Sequence, residues 1–266
     1  MVNILFIGDI VGSVGRKTVA ALLPDIKKEF AIDLVIANGE NAAHGKGITT
    51  STAQELQISG INWITTGDHC FDQSSSIPTC FNDEQPILRP ANYSSQAPGR
   101  GYAVIPTELG EILLINLIGR SFMSRDYDSP FEKYTEIMAL FTEKKFSAII
   151  IDIHAEATSE KIAFRHFVEG TASALIGTHT HVQTADHCIT SAGTGYLTDV
   201  GMTGYADGVI GVEKEPVLYS FLTQIKQPQR LPESGKAILS AVVISIDPAN
   251  GRCQSILPIQ RFISIQ

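Results

Sequence analysis

A series of short Ile-, Val- and Leu-rich runs, each closed by a polar or glycine-containing turn, constrains this chain most. The runs do not alternate strictly between apolar and polar residues, which is the pattern of strands covered on both faces. The first, Asn3 to Asp9, feeds a loop with Gly12 and Gly15. A helical stretch from Lys17 to Phe30 follows, where Val19, Leu22, Leu23 and Ile26 form an apolar stripe. A second run, Asp33 to Glu40, precedes the loop NAAHGKG and a helix from about Thr52 to Ser59; a third, Ile61 to Gly67, opens onto DHCFD. Strand, loop and helix alternate, as in an α/β fold.

The middle of the chain breaks that rhythm. Tyr102 to Pro106 and Glu111 to Leu117 flank Glu108, Leu109 and Gly110, which predicts a hairpin and so an antiparallel element. A helix from about Pro130 to Lys145 leads to the buried-strand pattern SAIIIDIHAE. A helix near Ser159 to Phe167 and the strands SALIGTH and GYLTDVG come next. A second hairpin, Ile238 to Asp247 and Gln254 to Phe262, turns at Pro248, Ala249, Asn250 and Gly251, and Gln227 to Lys236 is expected to be a long surface loop. Two mixed sheets packed together and flanked by helices accommodate both the parallel runs and the hairpins. No repeat or linker divides the chain, so one mixed α/β domain over residues 1–266 is expected.

Composition narrows the function. At 44% hydrophobic and 18% charged the chain has material for a sizeable core. Its formal charge of −8 is opposite to the basic surface expected for broad contact with nucleic acid or an anionic membrane. A small anionic substrate would then need local positive charge, from metal ions or a few basic side chains. The four cysteines, Cys70, Cys80, Cys188 and Cys253, lack zinc-knuckle spacing and are too sparse for a disulfide scaffold, so they are expected to be reduced. The opening MVNILFIGD lacks the pattern of a secretory signal, and no stretch reaches membrane-spanning length, so a cytoplasmic location is expected.

In open α/β sheets ligands collect beyond the carboxyl ends of strands. Here Asp9 follows ILFIG, Glu40 and Asn41 follow LVIANG, Asp68 and His69 follow WITTG, His154 follows AIIIDI, and His179 and His181 follow ALIGT. These are oxygen and imidazole donors without thiolate, a set that suits divalent Mn, Fe, Mg or Zn. One ion cannot use them all, but two ions sharing a carboxylate can, and such a pair activates water and clamps a phosphoryl group. Glu40 is the expected bridge, with Asp9, Asn41 and His181 at one ion, Asp68, His154 and His179 at the other, and His69 left over as proton donor.

Plainer roles stand beside these. Asp9 could cap a helix or line a nucleotide-binding turn, Asn41 could hold its own loop, and His69 could be an internally satisfied histidine. His179 and His181 lie two residues apart, which in an extended segment turns both to one side. Asp152 is placed to orient a histidine, Asp72 to brace the loop of His69, and Asp199 to support the ligand shell. His44 sits in a glycine-containing loop that could close over substrate or simply be solvated; His166 and His187 are expected at the surface, as are Lys46 and Arg120 unless they contact phosphate.

The segments ILFIGDIVGSVGR, VIANGENAAHGKGI, TTGDHCFD, LRPANY, IDIHAEATSEK, LIGTHTHVQTAD and LTDVGMTG together resemble the YmdB-like branch of the calcineurin-like metallophosphoesterases, over essentially the whole chain. The resemblance implies a four-layer α/β/β/α fold with a dinuclear metal centre at one edge of the sheets, Mn or Fe being favoured. It also implies phosphodiesterase activity toward cyclic nucleotides, including 2′,3′-cyclic AMP. It assigns metal binding to Asp9, Glu40, Asn41, Asp68, His154, His179 and His181, and the acid role to His69, and a homo-oligomer is compatible with it. In one place the chain departs from the family: the usual Gly-Asn-His reads Gly67-Asp68-His69, so a neutral amide has become a carboxylate. The extra negative charge is expected to keep metal bound while weakening its pull on an anionic diester. Two alternatives remain at this point: hydrolysis of phosphomonoesters or of a short RNA terminus, and a regulatory interaction protein that keeps its metal with weak or no catalysis.

Overall fold

The computed structural model describes residues 1–266. Its first strand, β1 (Val2–Ile7), shows why the apolar runs lack alternation. Leu5 and Ile7 pack one way, with Val19, Leu23 and Ile26, while Ile4 and Phe6 pack the other way, with Ile112, Leu114 and Ile150. A strand whose two faces both meet a core has no polar side to display.

A two-residue strand β2 (Asp9–Ile10) leads into α1 (Gly12–Glu29), which begins a full turn before the expected Lys17. Gly15 permits that early start, because a Cβ there would overlap the Thr203 carbonyl, so the first helical turn lies directly on the sheet. β3 (Leu34–Asn38), α2 (Thr50–Ile58), β4 (Trp63–Thr65) and the short α3 (Ile77–Cys80) complete the first half. Thr49 and Thr52 cap the start of α2 reciprocally, each side chain bonded to the other's backbone N–H.

The predicted hairpin is β5 (Tyr102–Thr107) and β6 (Gly110–Ile118), paired antiparallel. α4 (Pro130–Ala139), β7 (Ala148–His154), α5 (Thr158–Val168), β8 (Ala174–Thr178), β9 (Cys188–Ile189) and β10 (Gly195–Leu197) follow. α4 stops short of the expected Lys145 because Phe141 turns inward to pack edge-on against Tyr102 and Phe146. β11 (Met202–Tyr205), α6 (Lys214–Thr223), β12 (Gly235–Asp247) and β13 (Arg252–Ile265) return the chain to the first sheet. α6 escapes a periodicity reading because its apolar residues are contiguous, and none of them is buried.

The first sheet runs β2-β11-β12-β1-β3-β4, with β13 along β12; the second runs β5-β6-β7-β8-β10-β9. Both are mixed: β1, β3 and β4 are parallel beside antiparallel β12, and β6, β7, β8 and β10 are parallel between antiparallel β5 and β9. Three separate apolar cores lie between helices and first sheet, between the two sheets, and between second sheet and helices. Three interfaces define four layers, α/β/β/α. No helix is long and apolar enough to cross a membrane.

Candidate metal centre

Between the sheets, apolar rows turn polar toward the carboxyl ends of the parallel strands. Those ends bring the predicted residues together. Glu40, Asp68, His154 and His179 each offer one ligand atom, and the four atoms all lie within 4.8 Å of one another. His154 Nε2 is 3.2 Å from Glu40 Oε1 and 3.3 Å from Asp68 Oδ1, and His179 Nδ1 is 2.9 Å from His154 Nε2. The glycine before Asp68 is a steric requirement: a Cβ on Gly67 would overlap both Glu40 Oε2 and the His154 ring.

Asp9, Asn41 and His181 border this cluster. Asp9 Oδ1 lies 3.9 Å from His181 Nε2 and 3.8 Å from His154, and its other oxygen accepts the His179 backbone N–H at 3.2 Å. Asn41 donates its amide to the Gly45 carbonyl, so its loop-holding role is real, and that bond leaves the amide oxygen free. Asp9 Oδ1 and Asn41 Oδ1 are both buried acceptors without a hydrogen-bond partner. Orphaned buried oxygens beside carboxylates and imidazoles are what a cation-binding pocket requires and what an ordinary core avoids. The residues therefore fit divalent metal.

Each imidazole turns one nitrogen toward the cluster and gives the other to an oxygen. His154 Nδ1 faces Thr178 Oγ1 at 2.9 Å, His179 Nε2 faces Glu156 at 3.2 Å, and His181 Nδ1 donates to the Ile210 carbonyl at 3.1 Å. Such outer partners fix ring orientation and tautomer. His69 is aligned likewise, its Nδ1 2.9 Å from Asp72, while its backbone N–H donates to Glu40.

The electrostatics express a demand for positive charge. Burial opposes charge on Asp68, yet hydrogen bonding and attraction from His154, then His69 and His179, hold its carboxyl below the usual range. Glu40 is likewise fully buried and still held low by His154. Burial also disfavours a charged His154, but Glu40 and Asp68 raise it well above the ordinary histidine value. Burial, followed by that neighbouring charge, lowers His179 to about 4. For Asp9 burial prevails over His181 and His154 and raises the carboxyl to about 6.

Several supporting residues carry no sequence signal of their own. Lys161 on α5 is fully buried, its ammonium donating to Thr178 O at 2.7 Å and to Asp199 at 2.9 Å. Asp199 also accepts the backbone N–H and hydroxyl of Thr180, pinning the residue between the two histidines. That clamp matters because β8 ends at Thr178 and His179 and His181 adopt φ of 101° and 66°, so the segment is not the extended one expected, and a clamped turn rather than strand alternation aims the two rings. An apolar stripe on α5 would have masked Lys161, since only contact with Asp199 explains a buried ammonium. Tyr93, from the LRPANY segment, donates toward the Gly67 and Asp68 carbonyls. His44, His166 and His187 are exposed, as are Lys46 and Arg120.

The model of the YmdB-like protein family matches residues 5–259. The chain is 45% identical over 246 residues to the 2′,3′-cyclic-nucleotide 2′-phosphodiesterase of Bacillus subtilis strain 168, covering 92% of this chain and 91% of that protein. A crystal structure of a hypothetical protein from Thermus thermophilus superposes with a TM-score of 0.89 at 38% identity, over 99% of this chain and 100% of the other. A crystal structure described as a novel phosphatase from Mycoplasma pneumoniae superposes with a TM-score of 0.92 at 30% identity, over 100% and 94%.

Proposed function

The chain belongs to the YmdB-like family, and from that premise we propose that it is a metal-dependent phosphodiesterase that opens small cyclic nucleotides such as 2′,3′-cyclic AMP. Residues 1–266 act as one domain in this reading, and two divalent ions, Mn or Fe before Mg or Zn, complete the site. Asp9, Asn41 and His181 would hold one ion, Asp68, His154 and His179 the other, and Glu40 both. The observation that carries the reading is the pair of orphaned buried oxygens, Asp9 Oδ1 and Asn41 Oδ1, beside the four-ligand cluster.

Bound metal would neutralise charge on the phosphoryl oxygens and make a water more acidic. The chain's own groups do the rest. Water attacks phosphorus in line with a ribose oxygen of the ring; a new P–O bond forms, the ring P–O bond breaks, the proton the water loses passes to solvent, and the product is a nucleoside monophosphate. His69 protonates the departing oxygen. Asp72 holds its Nδ1 at 2.9 Å, so Nε2 is the atom turned to deliver the proton. The His69 backbone N–H bond to Glu40 places the acid beside the proposed bridging carboxylate.

The test is product analysis on metal-defined protein, comparing Mn, Fe, Mg and Zn with 2′,3′- and 3′,5′-cyclic nucleotides. A metal-dependent, single ring opening is expected. Release of inorganic phosphate from monoesters, or shortening of an oligomer without ring opening, would replace this substrate class, and silence with both sites loaded would defeat the enzymatic reading.

A further inference from the structure

The two sheets meet at one buried carboxylate that touches none of the proposed ligands. Asp152 lies on β7 two residues before His154, so both side chains share the face turned to the first sheet. Ile150 precedes them on that face and packs in the inter-sheet core; on β8, Ile176 and Thr178 form a matching pair, and on β3, Leu34, Ile36 and Asn38 do the same from the other side. Asp152 is fully buried where these apolar rows become polar.

Three donors converge on it. Thr178 Oγ1 donates to Asp152 Oδ1 at 2.7 Å, while Thr65 Oγ1 at 2.5 Å and Asn38 Nδ2 at 3.1 Å donate to Oδ2. Both carboxyl oxygens are acceptors in these three bonds, although burial raises the group to about 7, and that arrangement dictates every bond further out. The Thr178 hydroxyl has one proton, and it goes to Asp152, so toward His154 this hydroxyl accepts. The 2.9 Å contact is then His154 Nδ1–H donating to Thr178, and Nε2 is the nitrogen presented to Glu40 and Asp68. In the same way the Asn38 amide nitrogen is committed to Asp152, which turns Asn38 Oδ1 to accept the Glu40 backbone N–H at 3.1 Å.

We propose that Asp152 is a positioning residue that sets two metal ligands at once, the ring of His154 through Thr178 and the Glu40 loop through Asn38. Thr178 and Asn38 are its relays. The inference rests on the proposed metal centre but not on its substrate. An amide at position 152 shows what the carboxylate contributes. With its NH₂ toward Thr178, the hydroxyl accepts from it and its own proton is no longer committed to position 152, so nothing holds the hydroxyl as an acceptor toward His154 Nδ1 and the tautomer with a bare Nε2 is no longer enforced. With its NH₂ toward Asn38, that amide must turn over, and the Glu40 N–H loses its acceptor. Either orientation loosens a ligand from one sheet.

The experiment measures dissociation constants for Mn²⁺ and Zn²⁺ by titration of metal-free protein. Thr178→Val keeps the branched shape and removes the relay; it should weaken binding about 10–100-fold, the usual effect of losing an outer-shell partner. Thr178→Ser restores the hydroxyl and should bind within about threefold of the parent. Asp152→Asn should weaken binding like Thr178→Val, and it serves if the valine variant does not fold. In the zinc-loaded parent, ¹⁵N spectra should show a proton on His154 Nδ1 that exchanges slowly with water. Equal affinities of the Val and Ser variants, an unaffected Asp152→Asn variant, or an unprotonated Nδ1 in the zinc form would each overturn the proposal. A parent that binds zinc tightly but opens no cyclic nucleotide would overturn the substrate reading alone and leave this comparison intact.

Discussion

The two sheets contribute different chemistry to the same place. Every oxygen ligand in the proposed set, Asp9, Glu40, Asn41 and Asp68, follows a strand of the first sheet, and every imidazole, His154, His179 and His181, belongs to or follows a strand of the second. The first sheet alone would hold a cluster of like charges, and the second a group of histidines with little reason to stay together. Docking the sheets brings opposite tendencies into contact: Glu40 and Asp68 raise His154, and His154 holds both carboxyls low. Metal ligated across that seam would link the sheets, so binding free energy becomes stability.

The largest break in this division of labour is expected from Glu40→Gln, which keeps the volume but removes the charge of the proposed bridge. Hydrolysis should fall about a thousandfold, the scale on which a principal electrostatic element acts, with loss of bound metal measured in parallel. A variant with parental rate and metal content would remove Glu40 from the site. His69→Ala should come next, slowing ring opening by about 100-fold or more, yet costing far less for a p-nitrophenyl ester whose leaving group needs no proton. Equal losses on both substrates would defeat the acid assignment.

Asp68→Asn sharpens the comparison rather than breaking it, since it makes the first sheet's contribution less negative. Metal content should be kept and the diesterase rate should rise about tenfold, or about 1.4 kcal/mol at the transition state. Loss of metal from this variant would show that the carboxylate is needed for binding instead.

The smallest effect concerns pH. Asp9, raised to about 6, and Asp152, raised by burial to about 7, keep protons in the folded state that the unfolded chain releases near 3.8, so their share of stability falls as pH rises from 3.8 through those values. His179, lowered to about 4, works the other way up to 6.5. Above 6.5 His154 dominates: its raised value gives stability that is full below 6.5 and lost as pH climbs through the folded value. Metal-free protein should therefore unfold at lower temperature on the alkaline side, and metal-loaded protein, with His154 Nε2 bound to the ion, should lose less. A metal-free midpoint that rises with alkaline pH would contradict the raised His154.

Much of this was legible along the chain because strand ends announce themselves. A buried strand must finish where its apolar run finishes, so Asp9, Glu40, Asp68 and His154 stand out as charges or imidazoles in a costly position. The hairpin from Tyr102 and the one ending at Phe262 are read from their turns. The residues that hold the ligands in place carried no comparable mark. Thr178 reads as one more β-branched strand residue, Lys161 as a helix-surface lysine, and Glu156 and Ile210 as loop residues until their bonds to imidazole are seen.

The sequence by itself determined the alternation of elements, the two hairpins and the list of oxygen and nitrogen donors, because each depends on neighbours within a few residues. The tertiary structure alone decided which donors share a centre. Asp152 and Thr65 are far apart in the chain but bonded across the seam, and Lys161 meets Asp199 from a different layer. Burial is a property of the packed sheets rather than of any segment. Whether His154 is charged, whether Asp9 keeps its proton and which nitrogen of each ring faces the metal all follow from that packing.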